Sequence, residues 1–389
     1  MKIALVHDYL TQKGGAERVF ELLCKRFPEA DIYTSLYSPK DTIDVGNRSV
    51  HTTKLQAIPG AKQNFRLLAP FYFSAFEALD LQQYDLIISS TTSFAKSVVK
   101  HPHAYHICFC HNITRFLWDT RTYIEQYQDY KALLPIIKPI FQKLQQFDLA
   151  HAKKPDLYIS NSTTVAQRIR KIYNQPAITV NYPIDIERFQ FSDKKDDFYL
   201  ISSRLLGYKR VDVVIEAFNW LGWPLIIMGD GPERERLEAM ALPNIIFLGH
   251  ISDDERKQLM SRAKAVIVAA LEDYGLVPIE ANASGTPVIS YGAGGVLDTQ
   301  IPGKTGVFFN RQSPEALHQA LIEFSTIQWN YSQIREHVLE NFTEDVFFER
   351  VTNVIKDFFA QRSSEEDALL NDAERLAELS LMIDNYVKV

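Results

Sequence analysis

Two successive sets of short apolar runs, separated by stretches with helical spacing, constrain this chain more than any other feature. Ile3–Val6, Ile32–Leu36, Leu86–Ser89, His106–Cys110, Leu157–Ser160 and Ile178–Val180 form the first set. Tyr199–Ser202, Leu225–Met228, Ile245–Leu248, Val266–Ala269, Val288–Ser290 and Val307–Phe309 form the second. Strands alternating with helices in this way predict two doubly wound α/β domains, and 389 residues are too many for one ordinary domain. Pro183, in Asn181–Asp185, breaks the pattern where the first set ends and marks the linker. After about Val346 the chain reads as helix with no further strand.

Bulk properties exclude several classes. At 46% hydrophobic and 23% charged residues the composition is globular. The longest apolar runs are about seven residues, far short of the roughly 20 a membrane helix needs. Met1–Val6 enters a strand directly, so no signal peptide is expected. Three cysteines, Cys24, Cys108 and Cys110, make no disulfide framework and suit a reducing cytoplasm. Cys108, Cys110 and His111 read as a buried strand ending in a functional histidine, since structural zinc sites take four ligands in paired spacings. The net charge of −6 sits mostly in residues 363–389, where seven acidic groups face Arg375 and Lys388, giving −5 there and −1 elsewhere. Nothing suggests a nucleic-acid partner. The helical apolar spacing of that acidic tail predicts that it packs on the first domain.

The chemistry concentrates around Glu272–Glu280. The apolar run Ala265–Ala270 reads as a buried parallel strand, and Pro278 suits the first turn of a helix. Strand, glycine loop and helix start therefore follow one another, with a carboxylate on each side of the loop. Free N–H groups at a helix start favour phosphate, whereas flanking carboxylates accept from hydroxyls. A nucleotide sugar, with a diphosphate between two polyols, has that shape. Upstream, Arg204 and Lys209 follow the first strand of the second set and are able to converge on one anion, the Arg bidentately and the Lys as a point charge. The chain has no Asp-x-Asp triplet, so a metal ion is not the obvious neutraliser of a leaving diphosphate, and no metal ligand is expected. Gly14 and Gly15 follow the first strand, but Ala16 and Val19 fill the later positions of a Gly-x-Gly-x-x-Gly dinucleotide fingerprint, which counts against a dehydrogenase.

Taken together, Glu272 and Glu280 with seven residues between them, Ser284-Gly285-Thr286-Pro287, Ser203-Arg204-Leu205 with Lys209-Arg210, Gly229-Asp230-Gly231-Pro232, Phe247-Leu248-Gly249 and Gly14-Gly15-Ala16-Glu17 resemble retaining glycosyltransferase family 4, of the GT-B fold. The similarity covers about residues 1 to 350. It implies two Rossmann-like domains facing across a cleft, with residues 1–182 binding acceptor and 183–346 binding the nucleotide sugar. It also implies that the helices of 347–389 cross back to the first domain.

The resemblance assigns roles residue by residue. Glu280 binds ribose hydroxyls, and Glu272 meets the transferred sugar as an electrostatic and positioning group rather than a covalent nucleophile. Tyr274, Gly275 and Leu276 present backbone N–H groups near sugar and phosphates. Arg204 and Lys209 hold the diphosphate. Gly229, Asp230, Gly249 and Ile251 lie near the nucleotide, Ile251 through its backbone. Gly14 and Gly15 approach the donor from the first domain. His111, followed by Arg115, Trp118 and Asp119, lines the sugar or acceptor side, although Ile113 stands where the family more often has proline. The implied activity is metal-independent, retaining hexosyl transfer with no cofactor, from a UDP-sugar, with UDP-glucose first and GDP-mannose second, to a glycan or lipid-linked glycan in polysaccharide biosynthesis. The rivals are a sugar-nucleotide epimerase and a non-catalytic scaffold that binds nucleotide sugar at the membrane. The aromatic stretch 54–79 and the Lys-rich stretch 131–154 suggest peripheral contact of a cytoplasmic protein with the inner membrane surface.

Overall fold

The computed structural model describes residues 2–119 and 134–365. The chain divides into two units, Met1–Val180 with Phe348 onward, and Asn181–Phe347. The first contains β1 (Ile3–His7), α1 (Gly15–Arg26), β2 (Asp31–Thr34), β3 (Val50–Thr52), α2 (Ala69–Glu77), β4 (Leu86–Thr91), β5 (Tyr105–Cys110), α3 (Arg115–Trp118), α4 (Leu134–His151), β6 (Leu157–Ser160), α5 (Thr163–Arg168) and β7 (Ile178–Thr179). Its strands pair in parallel in the order β3-β2-β1-β4-β5-β6-β7. All six residues of β4 are buried, which is why its apolar run shows no alternation. α1 covers the sheet with Val19, Phe20, Leu23 and Cys24, one face of a helix. Tyr72, Phe73, Phe76 and Phe94 fill the core beside α2.

The second unit holds β8 (Tyr199–Ser202), α6 (Val211–Leu221), β9 (Leu225–Met228), α7 (Arg234–Met240), β10 (Ile245–Gly249), α8 (Asp253–Arg262), β11 (Ala265–Val268), α9 (Leu276–Ala283), β12 (Val288–Tyr291), β13 (Gly306–Phe309), α10 (Pro314–Thr326) and α11 (Tyr331–Asn341). Its sheet is again parallel, in the order β10-β9-β8-β11-β12-β13. The order reverses between β1 and β4 in one sheet and between β8 and β11 in the other. Beyond the carboxyl ends of such strand pairs the connections diverge to opposite faces and leave a crevice. α8 begins with a capping box in which Ser252 and Glu255 satisfy each other's backbone N–H groups.

A final helix, α12 (Glu344–Glu365), carries the chain from the second unit back into the first at Phe348. Within the first unit Phe359 meets Tyr105 edge-on at 4.7 Å, and Arg26 lies over the Phe348 ring at 5.0 Å. This is the C-terminal helix that the resemblance implies. The twelve expected strands are all present. The thirteenth, β3, escapes sequence reading because it is a three-residue edge strand with an exposed His51 and no continuous apolar run. Packing of the acidic tail beyond Glu365 concerns residues outside the described ones. Among the described residues no helix is long and apolar enough to cross a membrane.

Candidate active site

A cavity of ≈ 370 Å³ opens in the second unit at the carboxyl ends of β8, β9, β10 and β11. Its apolar floor is made by residues such as Ile201, Met228 and Ile267, and its polar rim by the loops that follow the strands. Arg204 and Lys209 enter after β8, Gly229 and Asp230 after β9, Gly249, His250 and Ile251 after β10, and Glu272 after β11. Gly229 has φ +120°, and a Cβ there would lie 1.9 Å from the Ser203 carbonyl oxygen, so only glycine lets these two loops touch. The Gly231 N–H holds the Asp230 carboxyl below its usual range, against some desolvation, and Arg234 adds to it.

Glu272 accepts a hydrogen bond from Lys209 Nζ at 2.7 Å, with both side chains largely sheltered from solvent. Its backbone is held as firmly: Glu272 forms a parallel bridge with Gly294, and Gly295 N–H donates to Glu272 O at 2.8 Å. A Cβ on Gly295 would meet Asp273 O at 2.4 Å, so this glycine loop exists to clamp the one bearing Glu272. Tyr274 turns away from the cavity, its hydroxyl donating to Tyr182 O at 2.5 Å. Gly275 and Leu276 carry the chain into α9. Glu280, only 4% exposed, accepts from Arg256 of α8, which itself lines the cavity. Arg204 is exposed and pairs with no carboxylate among the described residues.

The remaining expected residues lie in the first unit, also at a reversal of strand order. His111 follows β5 and is 7% exposed. Burial, the largest influence, pulls its pKa down to about 3, so the ring is neutral at ordinary pH. Its Nε2 lies 2.7 Å from Ser90 Oγ at the end of β4, and Ser90 Oγ lies 3.1 Å from His7 Nδ1 at the end of β1. Gly14 is the N-cap of α1, and a Cβ there would sit 2.6 Å from the Glu17 carboxylate. Arg115 forms an ion pair with Asp119 at 3.1 Å. Thus one group of expected residues surrounds a single cavity. His111 meets Ser90 at the ends of β5 and β4, while Gly14 and Gly15 begin α1, whose Glu17 faces His7 at the end of β1.

Comparison with known proteins gives this geometry a context. The sequence matches the family described as "Glycosyltransferase Family 4" over residues 13–188 and that described as "Glycosyl transferases group 1" over residues 184–341. The chain belongs to glycosyltransferase family 4. It is similar to the D-rhamnosyltransferase WbpZ of Pseudomonas aeruginosa, 26% identical over 210 residues that cover 49% of this chain and 54% of the relative. It is also similar to the O-antigen chain mannosyltransferase C of Escherichia coli, 22% identical over 250 residues, 57% of this chain and 63% of the relative. The match therefore spans less than two thirds of either relative's length. Among solved structures, Anabaena Alr3699/HepE in complex with UDP superposes with a TM-score of 0.63 at 17% identity, covering 92% of this chain and 100% of that one. At that identity the likeness speaks to the fold, two parallel Rossmann-like sheets.

In this family 4 chain two groups, one in each unit, lie outside what sequence reading found. Arg256 was missed because an arginine in the first turn of an exposed helix is ordinary. Its place one turn after the Gly249-His250-Ile251 loop was the available signal. His7 and Ser90 were missed, and Glu17 was read only as part of the Gly14-Gly15-Ala16-Glu17 run. Polar residues ending β1 and β4, where an α/β site forms, were the sign.

Proposed function

We propose that this protein transfers a hexose, with glucose the first choice, from a UDP-sugar to a hydroxyl of a glycan or lipid-linked glycan, with retention and without a metal or cofactor. One observation carries the reading: a cavity at the strand-order reversal combines an unpaired Arg204 with a Lys209–Glu272 pair and has Glu280 directly behind Arg256. Arg204, Lys209 and the N–H groups at the start of α9 offset the charge of a departing nucleoside diphosphate. Glu272 meets the sugar's hydroxyls and favours charge developing at the anomeric carbon. The acceptor oxygen attacks from the face the diphosphate leaves, and the departing phosphate oxygen takes its proton. Activity that EDTA abolished and Mg²⁺ or Mn²⁺ restored would overturn the metal-independent part.

UDP is favoured because a protein of this fold is described in complex with UDP. A second reading, GDP-mannose as donor, is favoured by the similarity to a mannosyltransferase. Thermal shift against UDP, GDP, ADP and their glucose, galactose, N-acetylglucosamine and mannose derivatives separates the two, because a ligand of the native state raises Tm by mass action. A UDP-selective shift supports the first reading and a GDP-selective shift the second. No shift at millimolar ligand removes both.

The acceptor reading includes contact with an anionic membrane surface. Leu67 is 76% and Phe71 57% exposed beside Arg66 and Lys62, and Ile140 and Phe147 are exposed on α4 beside Lys138 and Lys143. Apolar groups enter the headgroup boundary while the cations meet acidic lipid. Absence of sedimentation with anionic liposomes at low salt rules this contact out.

A further inference from the structure

The geometry points to a polar relay, Glu17–His7–Ser90–His111, hydrogen-bonded on both sides of Ser90 and closed by a 3.7 Å contact between Glu17 and His7, that fixes His111 with its proton on Nε2 and leaves Nδ1 as an acceptor. Ser90 stands at the centre, its buried hydroxyl 2.7 Å from His111 Nε2 and 3.1 Å from His7 Nδ1. A hydroxyl has one proton, so it donates to one ring and accepts from the other. The two imidazoles must therefore hold opposite arrangements at these nitrogens.

Glu17 decides which arrangement holds. Its Oε1 is 3.7 Å from His7 Nε2 and accepts from Gln12 Nε2 at 3.1 Å. An ionised carboxylate only accepts, so a bare Nε2 lone pair facing it is repelled and an N–H attracted. A singly protonated His7 consequently carries its proton on Nε2, its Nδ1 accepts from Ser90, and Ser90 accepts from His111 Nε2–H, whereas a doubly protonated His7 would reverse the relay, which is why the tautomer is read at a pH where an ordinary imidazole carries one proton. Two conditions support the chain. Burial opposes charge on Glu17, but its contacts with His7, Gln12 and its own backbone N–H outweigh this and hold its pKa below the ordinary value. Glu17 also stands in the first turn of α1, where the helix dipole favours an anion. The Phe20 ring, 4.8 Å from His7, restrains the middle of the chain.

The consequence is chemical. With the proton held on Nε2, His111 Nδ1, which is buried in this structure, is able only to accept, so it favours a sugar hydroxyl over a phosphate or carbonyl oxygen beside it. This rests on the proposed reading that His111 lines the sugar or acceptor side. Glu17, His7 and Ser90 are then positioning residues acting through His111.

The test is nitrogen NMR of the full chain labelled at histidine, at about pH 8, where an ordinary imidazole carries one proton. His111 in the unaltered protein is expected as a single species, protonated at Nε2. Glu17→Gln removes the bias, because an amide both donates and accepts, and an Nδ1-protonated population should appear. Turnover should fall about tenfold, with Tm lowered by no more than a few degrees as the buried carboxylate's contacts weaken. Ser90→Ala should likewise release the tautomer. An Nδ1-protonated His111 in the unaltered protein overturns the relay, as does a tautomer indifferent to both substitutions. Nucleotide binding by the second unit is measured on the same samples. A fixed Nε2–H tautomer without any nucleotide binding upholds the relay and sinks the transferase reading, and the opposite pair of results does the reverse.

Discussion

Replacing Asp148 by Asn should destabilise the first unit by about 3–5 kcal/mol, the cost typical of breaking a buried ion pair. Asp148, on α4, is fully buried and lies 2.6 Å from the Nζ of Lys96, itself 1% exposed. The carboxylate also accepts from Thr114 Oγ1 at 2.7 Å, Trp118 Nε1 at 2.7 Å and Tyr173 OH at 2.9 Å. Asn has the same shape, so packing barely changes. The substitution instead leaves the Lys96 ammonium without a counter-charge and puts an NH₂ among groups that already donate. Among the described residues Lys96 keeps Thr114 Oγ1 at 3.2 Å, the Ser93 carbonyl and the faces of Tyr173 and Phe73 at 5.3 and 5.9 Å, all neutral. If the orphaned charge is the main penalty, adding Lys96→Met should restore part of the loss, giving a coupling well above the about 0.5 kcal/mol seen for independent sites. Urea unfolding followed separately in each unit, by amide exchange of assigned residues, provides the measurement, since two units need not unfold as one. A loss under about 1 kcal/mol, or a double variant no more stable than Asp148→Asn, would show that the pair is not energetically coupled and that the reasoning fails.

Other substitutions test the cavity and the buried histidines. Glu272→Ala should lower kcat about 10²–10³-fold while nucleotide affinity holds or rises, because Lys209 loses its carboxylate partner and keeps its charge for phosphate; equal losses in kcat and affinity, by kinetics and calorimetry, would refute the assignment. Gly229→Ala forces a Cβ against Ser203 O, and a strain of about 2–3 kcal/mol should lower the second unit's Tm by roughly 5–10 °C and weaken nucleotide binding as Arg204 moves; an unchanged melt and affinity count against the close approach. Burial, chiefly, takes both His106 and His111 down to about 3, below the 6.5 of an ordinary imidazole. Between about pH 6.5 and 3 the unfolded chain therefore binds protons that the folded one does not. Stability should fall with falling pH there, by up to about 1.4 kcal/mol per pH unit for each ring, and acid unfolding of His106→Gln should show a shallower fall.

The fold was legible where both faces of a strand are covered. Leu86–Ser89 and Val266–Ala269 read as continuous apolar runs because helices cover both sides of a parallel sheet, and no other common element has that length and composition. β3 carries no such run, since an edge strand buries too little to need one. The cavity was legible through residues whose type is tied to backbone geometry or charge. Gly229 admits no substitute, Arg204 and Lys209 flank one short turn, and Glu272 follows a buried strand directly. What stayed hidden is partnership across sequence distance. Nothing local says that Glu280 meets Arg256, that Gly295 clamps Glu272, or that Ser90 bridges His7 to His111 across 83 and 21 positions. These links are made by the sheet, which brings the ends of separated strands together.

Those hidden partnerships change how the cavity's charges work. Sequence reading gives the two carboxylates to hydroxyls and the two cations to phosphate, as though each waited unpaired. Instead Lys209 is held by Glu272, and Glu280 by Arg256. Each pair offsets part of the cost of keeping a charge in a half-enclosed cavity, which an unpaired group would bear alone. A diphosphate then need not strip water from a bare ammonium. On the proposed function it would draw Lys209 from one anion to another, while Glu272 would exchange a strong donor for weaker hydroxyls. Arg204, exposed and with no carboxylate partner among the described residues, is the group with attraction to spare, so on the proposed function it would make the first contact with an approaching anion. Loss of Arg204 should therefore slow association and reduce its dependence on salt, whereas loss of Lys209 should act after capture and leave Glu272 as an uncompensated negative charge beside the phosphates.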